Sequence, residues 1–395
     1  MQCMVCFDDF SDSGMTDLGC GHSFCNDCWT QYLTTRIKDE GDSHAITCMD
    51  EKCQVLVDDD TVRRLIKDTD QAVKRKYDYF LATSFISSNK NMTSCPNPES
   101  CDFIIKVKDP VCQSIICKCG QYFCFKCKED WHEPIDCECL KLWNKKASDD
   151  SETLNWISSH AKLCPKCESP IEKNGGCNHM SCRKCKAEFC WACMTLWASH
   201  NHSMACTRYV EDEKTKLSKS TAQQSLKRYM FYFERFINHQ RSLKAEKELQ
   251  EAVQEKINFL QICSKLSVQE VQFLSDALQA LLKCRTTLMY TYIFSYYLTE
   301  DDSNTCIFVD NQTDLQNRVE DLSSFLEREM IDIQVSDVKA VRLDVINKVD
   351  YCLNRRSVLI EHIKEGYANL SWSFMTGAPA SPKTSKKRTK VTKKQ

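Results

Sequence analysis

The sequence predicts a multidomain protein in which three small zinc-bound modules, joined by helices, precede an all-α domain. The cysteines provide the first observation, since 24 of the 28 lie before residue 207 and form three clusters. Each cluster contains a Phe-Cys-x-x-Cys repeat, at residues 24–28, 123–127 and 189–193. The second observation is a change of character near residue 209, where cysteines become sparse and long segments show helical periodicity.

The cysteine content also bears on the compartment. Dense cysteine indicates either a secreted disulfide framework or an intracellular metal protein, and the first residues lack the features of a signal peptide. We therefore expect a reducing compartment, the cytoplasm, with the nucleus as a second location. The longest apolar run, LMYTYIFSYYL at 288–298, is about half of the ~20 residues that a membrane span needs. It predicts a buried helix and no membrane association.

Basic residues are concentrated in the last twenty positions, which contain no acidic residue. Because the rest of the chain is acidic on balance, a nucleic-acid-binding face is not expected, and a zinc-dependent nucleic-acid-binding protein is the disfavoured alternative. Residues 373–395 are predicted to form a disordered tail, with a nuclear-import or nucleic-acid patch as the alternative. The basic residues are Lys383, Lys386, Lys387, Arg388, Lys390, Lys393 and Lys394.

The first cluster, in residues 1–55, supplies eight ligands, enough for two tetrahedral zinc ions. They are Cys3, Cys6, Cys20, His22, Cys25, Cys28, Cys48 and Cys53. A Cys-x-His-x2-Cys-x2-Cys core after a Cys-x2-Cys pair resembles a RING domain. That resemblance implies an interleaved arrangement, with the first and third pairs (Cys3, Cys6, Cys25, Cys28) on one ion and Cys20, His22, Cys48, Cys53 on the other.

Two connecting segments have the features of helices. Residues 56–92 place apolar side chains from Val62 to Leu81 at spacings typical of an amphipathic helix. Residues 141–160 include DDSETLNWISSHAKL, whose Asp and Ser are capping candidates for a second linker helix.

The second cluster, in residues 93–140, again supplies eight candidate ligands for two zinc ions. They are Cys95, Cys101, Cys117, Cys119, Cys124, Cys127, His132 and Cys137. Cys112 and Cys139 are left over. Each is interpreted as a buried or surface thiol, and the alternative is that either replaces a neighbouring ligand.

The third cluster, in residues 161–208, supplies the last eight ligands, so that six zinc ions are expected in total. They are Cys164, Cys167, Cys182, Cys185, Cys190, Cys193, His200 and Cys206, with His202 as an alternative to His200. Cys177 is left without a metal. It lies between Gly175-Gly176 and Asn178-His179.

Three interpretations of Cys177 remain open from its neighbours: an inert thiol, an alternative zinc ligand, or a nucleophile. Two preceding glycines give a flexible backbone whose N–H groups can face an oxyanion, as acyl transfer needs. His179 is placed to act as a base for the thiol or for an incoming amine, and Glu188 is a candidate to orient it. These neighbours favour the nucleophile.

Taken together, the RING-like module, the Cys/His-rich middle module and the GGCNH loop of the third module resemble the RING-between-RING ubiquitin ligases. The helical half, with LMYTYIFSYYL and SLKAEKELQ, resembles the Ariadne subfamily, and the likeness spans about residues 1–372. It implies that the first RING binds a ubiquitin-loaded conjugating enzyme, with Val5 as an apolar contact. Ubiquitin then passes to Cys177 as a thioester and on to a lysine of a protein substrate, with His179 removing the proton. Gln54 follows the last ligand of the first RING, where RINGs that activate the conjugating enzyme directly often carry Arg.

The resemblance also implies a regulatory role for the helical domain, residues 209–372, which in Ariadne proteins covers the catalytic cysteine. Glu246 and Glu320 occupy positions of acidic contacts in the family, whereas Ala245 replaces an aromatic residue and Val309 replaces an acid. A helical bundle that only stabilises the zinc modules is the simpler alternative.

Partners and the main rival function follow from the same comparison. A neddylated cullin ligase is a further implied partner, although family members usually carry a ubiquitin-associated-like domain before the first RING, which here begins at Cys3. The rival is a noncatalytic zinc scaffold that only binds conjugating enzyme and ubiquitin.

Overall fold

A computed structural model describes residues 1–40, 46–66, 70–97, 101–149, 162–173, 176–200, 206–209, 221–299, 303–327 and 338–375. The chain divides into two compact units, Met1–Asp130 and Trp131–Gln395, and each is considered by itself. Among the helices of these ranges, none is both long enough and apolar enough to cross a membrane. The predicted tail beyond residue 375 lies outside the described residues.

The first unit opens with a zinc module built on one hairpin and one helix. Strand β1 (Met15–Asp17) pairs antiparallel with β2 (Ser23–Cys25), and helix α1 (Asn26–Thr35) follows directly. The Cys25 sulfur caps α1 by accepting the N–H of Cys28 at 3.4 Å. Trp29 of α1 is fully buried, and its indole N–H donates to the Thr16 carbonyl oxygen at 3.1 Å. This packing fixes the cysteines of the hairpin relative to those of the helix.

The linker of the first unit forms two helices, α2 (Asp59–Leu65) and α3 (Gln71–Ser88). Each has its own aspartate N-cap, because Asp58 accepts the N–H of Thr61 and Asp70 accepts the N–H of Val73. The second cap explains why the amphipathic pattern is divided between two helices. Their buried apolar face carries Val62, Leu65, Ile66, Val73 and Tyr77.

The remainder of the first unit consists of two short hairpins. Strand β3 (Met92–Ser94) pairs with β4 (Ile104–Lys106), and β5 (Ser114–Ile116) pairs with β6 (Tyr122–Cys124), both antiparallel. Phe123 is fully buried, and the buried residues packed with it are two cysteines, Cys95 and Cys117. So small an apolar core indicates that metal binding must stabilise this part of the chain.

The second unit begins with helix α4 (Cys137–Asp149), which starts four residues before the predicted linker helix. Residues 150–160 of that prediction lie outside the described residues. The indole of Trp143 is fully buried between the rings of Tyr229, Phe233 and Tyr296, with centroids 5.3–6.0 Å apart. The aromatic cluster attaches α4 to the helical domain.

The third zinc module comprises two hairpins and one short turn of 3-10 helix, Trp197–Ser199. Strand β7 (Lys162–Leu163) pairs with β8 (Pro170–Ile171), and β9 (His179–Ser181) pairs with β10 (Glu188–Cys190). Residues 172–178 connect β8 to β9. Cys177 therefore lies on a connection between two zinc-bound hairpins.

The described residues of the all-α domain form five helices: α5 (Thr221–Lys244), α6 (Glu246–Ser264), α7 (Val268–Tyr297), α8 (Ser303–Glu327) and α9 (Val338–Ala368). Helix α7 begins at a capping box between Ser267 and Glu270 and packs against the other four. The run at 288–298 is buried along almost its whole length, as the sequence predicts. This domain supplies the main core of the second unit.

Candidate functional site

The candidate ligands of the first module come together as two quartets in which all ligand atoms lie within 4.8 Å of one another. One contains Cys3, Cys6, Cys25 and Cys28, and the other contains Cys20, His22, Cys48 and Cys53. The sulfur–sulfur distances Cys6–Cys25 and Cys20–Cys48 are both 3.8 Å. Zn–S bonds of 2.3 Å place two sulfurs about 3.8 Å apart around a tetrahedral ion. The donors therefore fit zinc, in the interleaved arrangement.

In the second module, Cys95, Cys101, Cys117 and Cys119 form a further quartet. Its sulfur–sulfur distances are 3.6 Å for Cys95–Cys119 and 3.4 Å for Cys101–Cys117. These are far longer than the 2.05 Å of a disulfide. The quartet is thus a metal site of four thiols.

The other candidate ligands of this module fall on both sides of the Asp130 boundary. Within the second unit, the Cys137 sulfur lies 3.6 Å from His132 Nε2. Within the first unit, the Cys124 sulfur lies 3.6 Å from that of Cys112, one of the two cysteines left over from the count. The β5–β6 pairing produces this neighbour, because the Phe125 N–H donates to the Gln113 carbonyl oxygen at 3.0 Å.

Cys127 and Cys139 occupy different environments. Cys127 is half-buried in the turn after β6. Cys139 is buried in the core of the second unit, and that burial raises the pKa of its thiol. Cys139 therefore behaves as an apolar core residue.

The third module repeats the zinc geometry. Cys164, Cys167, Cys182 and Cys185 form a quartet, with 3.7 Å between the sulfurs of Cys164 and Cys185. The Cys206 sulfur lies 3.6 Å from that of Cys190 and 3.1 Å from His200 Nε2. Cys193 is within hydrogen-bonding reach of both Cys190 and Cys206. The alternative ligand His202 lies outside the described residues.

Cys177 lies outside these groups, in a loop that we define as residues 176–178 and call the Cys177 loop. The thiol is only 6% exposed, because the loop is docked on helix α8. The Cys177 N–H donates to Glu327 Oε1 at 3.0 Å, and the Asn178 N–H donates to Glu320 Oε2 at 2.6 Å. Burial, followed by the charges of Glu320 and Glu327, raises the pKa of the Cys177 thiol. In this docked state the thiol is protonated and shielded.

The ring of His179 lies beside the Cys177 loop, at the start of β9. Its Nε2 is 3.4 Å from Glu188 Oε2, within ion-pair distance. Among the described residues, this nitrogen has no partner with hydrogen-bond geometry. One face of the ring stacks on Trp197, with centroids 3.9 Å apart and an interplanar angle of 17°. Trp197 in turn stacks on the zinc-ligand candidate His200 at 5.0 Å. The orientation of His179 is therefore connected to a metal site through Trp197.

Lys173 holds the loop from the other side. Its Nζ lies 3.1 Å from the Gly176 carbonyl oxygen, 3.0 Å from Asn178 Oδ1 and 2.7 Å from Asn238 Oδ1 of α5. The Ser242 hydroxyl donates to the same Gly176 oxygen at 2.8 Å. Burial lowers the pKa of Lys173 to about 8. Lys173 Nζ also lies 3.4 Å from the Ser242 hydroxyl oxygen, and a buried lysine tied to four oxygens is a costly feature that fixes the path of the loop.

Gly176 lies at a close approach between the Cys177 loop and helix α7. Arg285 of α7 is fully buried, and a Cβ at position 176 would lie 2.4 Å from its Nη1. Arg285 donates to the Ser323 hydroxyl, while its Nε and Nη1 have no hydrogen-bond partner among the described residues. A side chain at position 176 would therefore displace this buried guanidinium.

The residues proposed for the regulatory interface differ in placement. Glu320 is 8% exposed and contacts the Cys177 loop, whereas Val309 is packed in the helical core. Ala245 is half-buried at the start of α6, and the side chain of Glu246 lies outside the described residues, as does Gly175. Sequence reasoning missed Lys173, Glu327, Arg285 and Trp197. For Trp197 the sequence contains one indication of a role at the site, its position three residues before the candidate ligand His200. For the other three residues it contains none.

Four family models match the chain. They are a zinc finger of C3HC4 type (RING finger) at residues 2–38, an IBR domain described as a half RING-finger domain at 75–137, an IBR domain at 159–208, and an Ariadne domain at 227–354. Their order reproduces the order of the three zinc modules and the helical domain.

Curated relatives match nearly the whole chain. Human "E3 ubiquitin-protein ligase ARIH1" is 44% identical over 381 residues, 95% of this chain and 67% of that protein. "E3 ubiquitin-protein ligase ariadne-1" of Drosophila melanogaster is 43% identical over 94% of this chain and 74% of its own length. "E3 ubiquitin-protein ligase dbl4" of Schizosaccharomyces pombe is 40% identical, with the same two coverages.

Proposed function

Because the chain belongs to the Ariadne subfamily of RING-between-RING ubiquitin ligases, we propose that it transfers ubiquitin through a thioester on Cys177. Membership makes it a zinc-binding ubiquitin-protein ligase with ubiquitin and a conjugating enzyme as partners. The route through Cys177 rests on one observation. Cys177 is a thiol outside the metal groups of its module, with His179 and Glu188 beside it.

The first step moves the acyl group from one cysteine to another. The Cys177 thiolate attacks the thioester carbonyl carbon of the charged conjugating enzyme and forms a new C–S bond. The tetrahedral intermediate then expels the cysteine thiolate of the conjugating enzyme. The zinc ions stay outside this chemistry and hold the modules in shape.

The first module has an exposed apolar surface. Its residues Met4, Val5 and Phe7 are suited to bind the conjugating enzyme.

The second step forms the isopeptide bond with a lysine of a protein substrate. The amine attacks the carbonyl carbon of the Cys177 thioester, His179 accepts the amine proton, and the Cys177 thiolate leaves. Such proton transfer is typically worth 10² to 10⁴-fold in rate. The ion-pair contact with Glu188 stabilises the imidazolium that forms on His179. Because Glu188 is mostly exposed, its contribution is modest.

The helical domain is proposed to hold the ligase in an inactive state. Contacts from α8 to Cys177 and Asn178, and from α5 to Lys173, support this role, because they hold the loop in place. The resulting burial and the carboxylates of α8 raise the pKa of the Cys177 thiol. A partner that binds the released helical domain would shift the population toward the active form. A neddylated cullin ligase is the proposed activator, and the cytoplasm and nucleus are the proposed locations.

The test mixes a ubiquitin-charged conjugating enzyme with the full chain and with a chain ending near residue 210, and looks for a ubiquitin adduct that thiol reductant cleaves. We expect Cys177→Ala to abolish the adduct and Cys177→Ser to give an adduct that resists reductant, since an oxygen ester replaces the thioester. Cys139→Ala is the matched control, because it removes a buried thiol of the same unit. An adduct that persists in Cys177→Ala would overturn the proposal and favour the noncatalytic scaffold.

A further inference from the structure

The three consecutive backbone N–H groups of Cys177, Asn178 and His179 each meet an electron-rich atom. The Cys177 N–H binds Glu327 Oε1, the Asn178 N–H binds Glu320 Oε2, and the His179 N–H lies 3.3 Å from the Cys177 sulfur itself. Successive N–H groups of this kind form an anion-binding concavity. The first two donors carry carboxylate oxygens at 3.0 and 2.6 Å, close to the 2.7–3.1 Å range of oxyanion-hole donors.

The orientation of the first donor is fixed from behind. The Gly176 carbonyl oxygen accepts from Lys173 Nζ at 3.1 Å and from the Ser242 hydroxyl at 2.8 Å. In a planar trans peptide the C=O and N–H groups point in opposite directions, so these bonds aim the Cys177 N–H at Glu327. Lys173 belongs to the zinc module itself and is thus a positioning residue that keeps this peptide oriented after the helices withdraw.

The second donor is held with similar care. Asn178 Oδ1 accepts from Lys173 and Asn238, its Nδ2 donates to Glu320 Oε1 at 2.9 Å, and its carbonyl oxygen accepts the Trp191 N–H at 2.8 Å. Every polar atom of Asn178 is therefore bonded. In the docked state Asn178 is 4% exposed and Cys177 is 6% exposed, which excludes water from both donors. When Glu320 and Asn238 withdraw with the helices, the bonds from Lys173 and Trp191 remain, because both residues belong to the zinc module. Donors fixed before the reaction need no reorganisation when charge develops.

We propose that the N–H groups of Cys177 and Asn178 are the oxyanion hole of this ligase, and that Glu327 and Glu320 occupy it as oxyanion mimics in the docked state. This rests on the proposed function at Cys177. When the Cys177 thiolate attacks a thioester, the C–S bond forms and the carbonyl π electrons move to oxygen. That oxygen accepts from the Cys177 and Asn178 N–H groups after Glu327 and Glu320 have left them. Collapse restores the C=O bond and expels the other thiolate.

The arrangement makes the two glutamates inhibitory in two distinct ways. Their charges disfavour the Cys177 thiolate, which affects any reaction of the sulfur. Their oxygens also occupy the oxyanion donors, which affects acyl transfer alone, because alkylation at a saturated carbon passes through no oxyanion. The ratio of the two reactivities separates the hole from simple exposure of the thiol.

The experiment uses the full chain and two small probes of matched size, an N-acetylglycine thioester and N-methyl iodoacetamide. Acylation and alkylation rates at Cys177 are measured by mass spectrometry in the wild type and in Glu320→Ala/Glu327→Ala. Asp310→Ala is the matched control, since Asp310 is an exposed carboxylate on α8. We expect the double variant to alkylate faster and its acylation rate to rise by about a further tenfold or more. The Asp310→Ala control should have the same ratio of acylation rate to alkylation rate as the wild type.

A second variant tests the donor directly. In the double variant, the amide N–H of Asn178 is replaced by an ester oxygen through incorporation of the α-hydroxy analogue. We expect acylation to fall by about 10² to 10³-fold, the effect of one oxyanion donor, with alkylation changed less than about twofold.

Two outcomes overturn the inference, and they are distinguishable. If acylation at Cys177 occurs but its ratio to alkylation is the same in all variants, the N–H groups form no oxyanion hole and only the inference fails. If Cys177 alkylates but is not acylated in any variant, even by a charged conjugating enzyme, the proposed function fails with it.

Discussion

The protonation of Cys177 is the residue-scale feature on which the docked state depends. The groups facing the thiol are Glu320 and Glu327, which oppose the thiolate, and Lys173 and the His179 N–H, which favour it. Burial and the carboxylates prevail, so that the docked thiol has a raised pKa. A free thiol loses its proton near ~8.5, whereas the docked thiol keeps it to higher pH. The free energy of docking is therefore fully favourable below about pH 8.5 and becomes less favourable as the pH rises above it.

This sign predicts a pH profile. In wild-type protein we expect alkylation of Cys177 to remain slow up to about pH 8.5 and to increase steeply above it, as docking and the thiol titrate together. In Glu320→Ala/Glu327→Ala the two charges are gone and the loop loses its acceptors on α8, so the midpoint should fall toward about 8.5, the value of a free cysteine. Alkylation rates between pH 6 and 10, read at the Cys177 peptide, measure both midpoints. Identical midpoints in the two proteins would show that the carboxylates do not control the thiol.

At the residue scale, the sequence predicts zinc ligands better than it predicts the environment of Cys177. Ligand pairs such as Cys164-x2-Cys167 are local, so their spacing alone identifies them. The proximity of Cys112 to Cys124 depends on the register of β5 and β6, which the spacing does not contain. The capture of Cys177 by Glu327 joins residues 150 positions apart. No local pattern encodes such a contact.

At the scale of elements, the 3-10 turn Trp197–Ser199 connects a metal site to the candidate base. Trp197 lies between the rings of His179 and His200, with interplanar angles of 17° and 7°. Because His200 is fixed when zinc is bound, the stack limits rotation of the His179 ring. Trp197 is therefore a positioning residue for the step in which His179 accepts a proton.

Replacing Trp197 should separate the two steps of transfer. We expect Trp197→Leu to leave ubiquitin loading of Cys177 within about twofold and to slow transfer to lysine by about tenfold or more, part of the 10² to 10⁴-fold that proton transfer supplies. The defect should shrink at higher pH, where more of the amine is already deprotonated. Single-turnover discharge of the loaded protein measures this step.

The control for this variant comes from the same turn. Leu196 is 40% exposed and is not one of the three stacked rings, so Leu196→Ala should discharge at the wild-type rate. Equal slowing of loading and discharge in Trp197→Leu would indicate damage to the zinc module instead of a loss of His179 positioning.

The linker elements show how far periodicity alone can predict a fold. The apolar pattern of residues 62–81 correctly indicates a helix with one buried face, yet the chain begins a second helix at Gln71. Asp58 and Asp70 both cap helices, and the spacing of the apolar positions contains neither cap. The resemblance predicts position 309 at the regulatory interface, but Val309 packs in the helical core and not at the Cys177 loop.

At the scale of the whole second unit, the helical domain has two roles, and deleting the domain removes both at once. It covers Cys177 through α5 and α8, and it also buries Ile135, Leu140 and Trp143 from the segment that contains α4. Burying each such side chain is worth about 1.5–3 kcal/mol. Removal of the helices therefore releases the thiol and destabilises the rest of the unit at once.

The last prediction separates these roles with two proteins. A chain ending at residue 210 should form the reductant-sensitive ubiquitin adduct faster than the full chain, but it should melt at a lower temperature because Trp143 becomes exposed. The full chain with Asn238→Ala keeps every helix and loses the bonds of the Asn238 side chain to Lys173 and Asn178. It should also load faster, by about tenfold if the lost bonds stabilise docking by about 1.4 kcal/mol. Loading by a charged conjugating enzyme and a thermal melt measure both effects. Unchanged loading in both proteins would mean that the helical domain supports the zinc modules without inhibiting them.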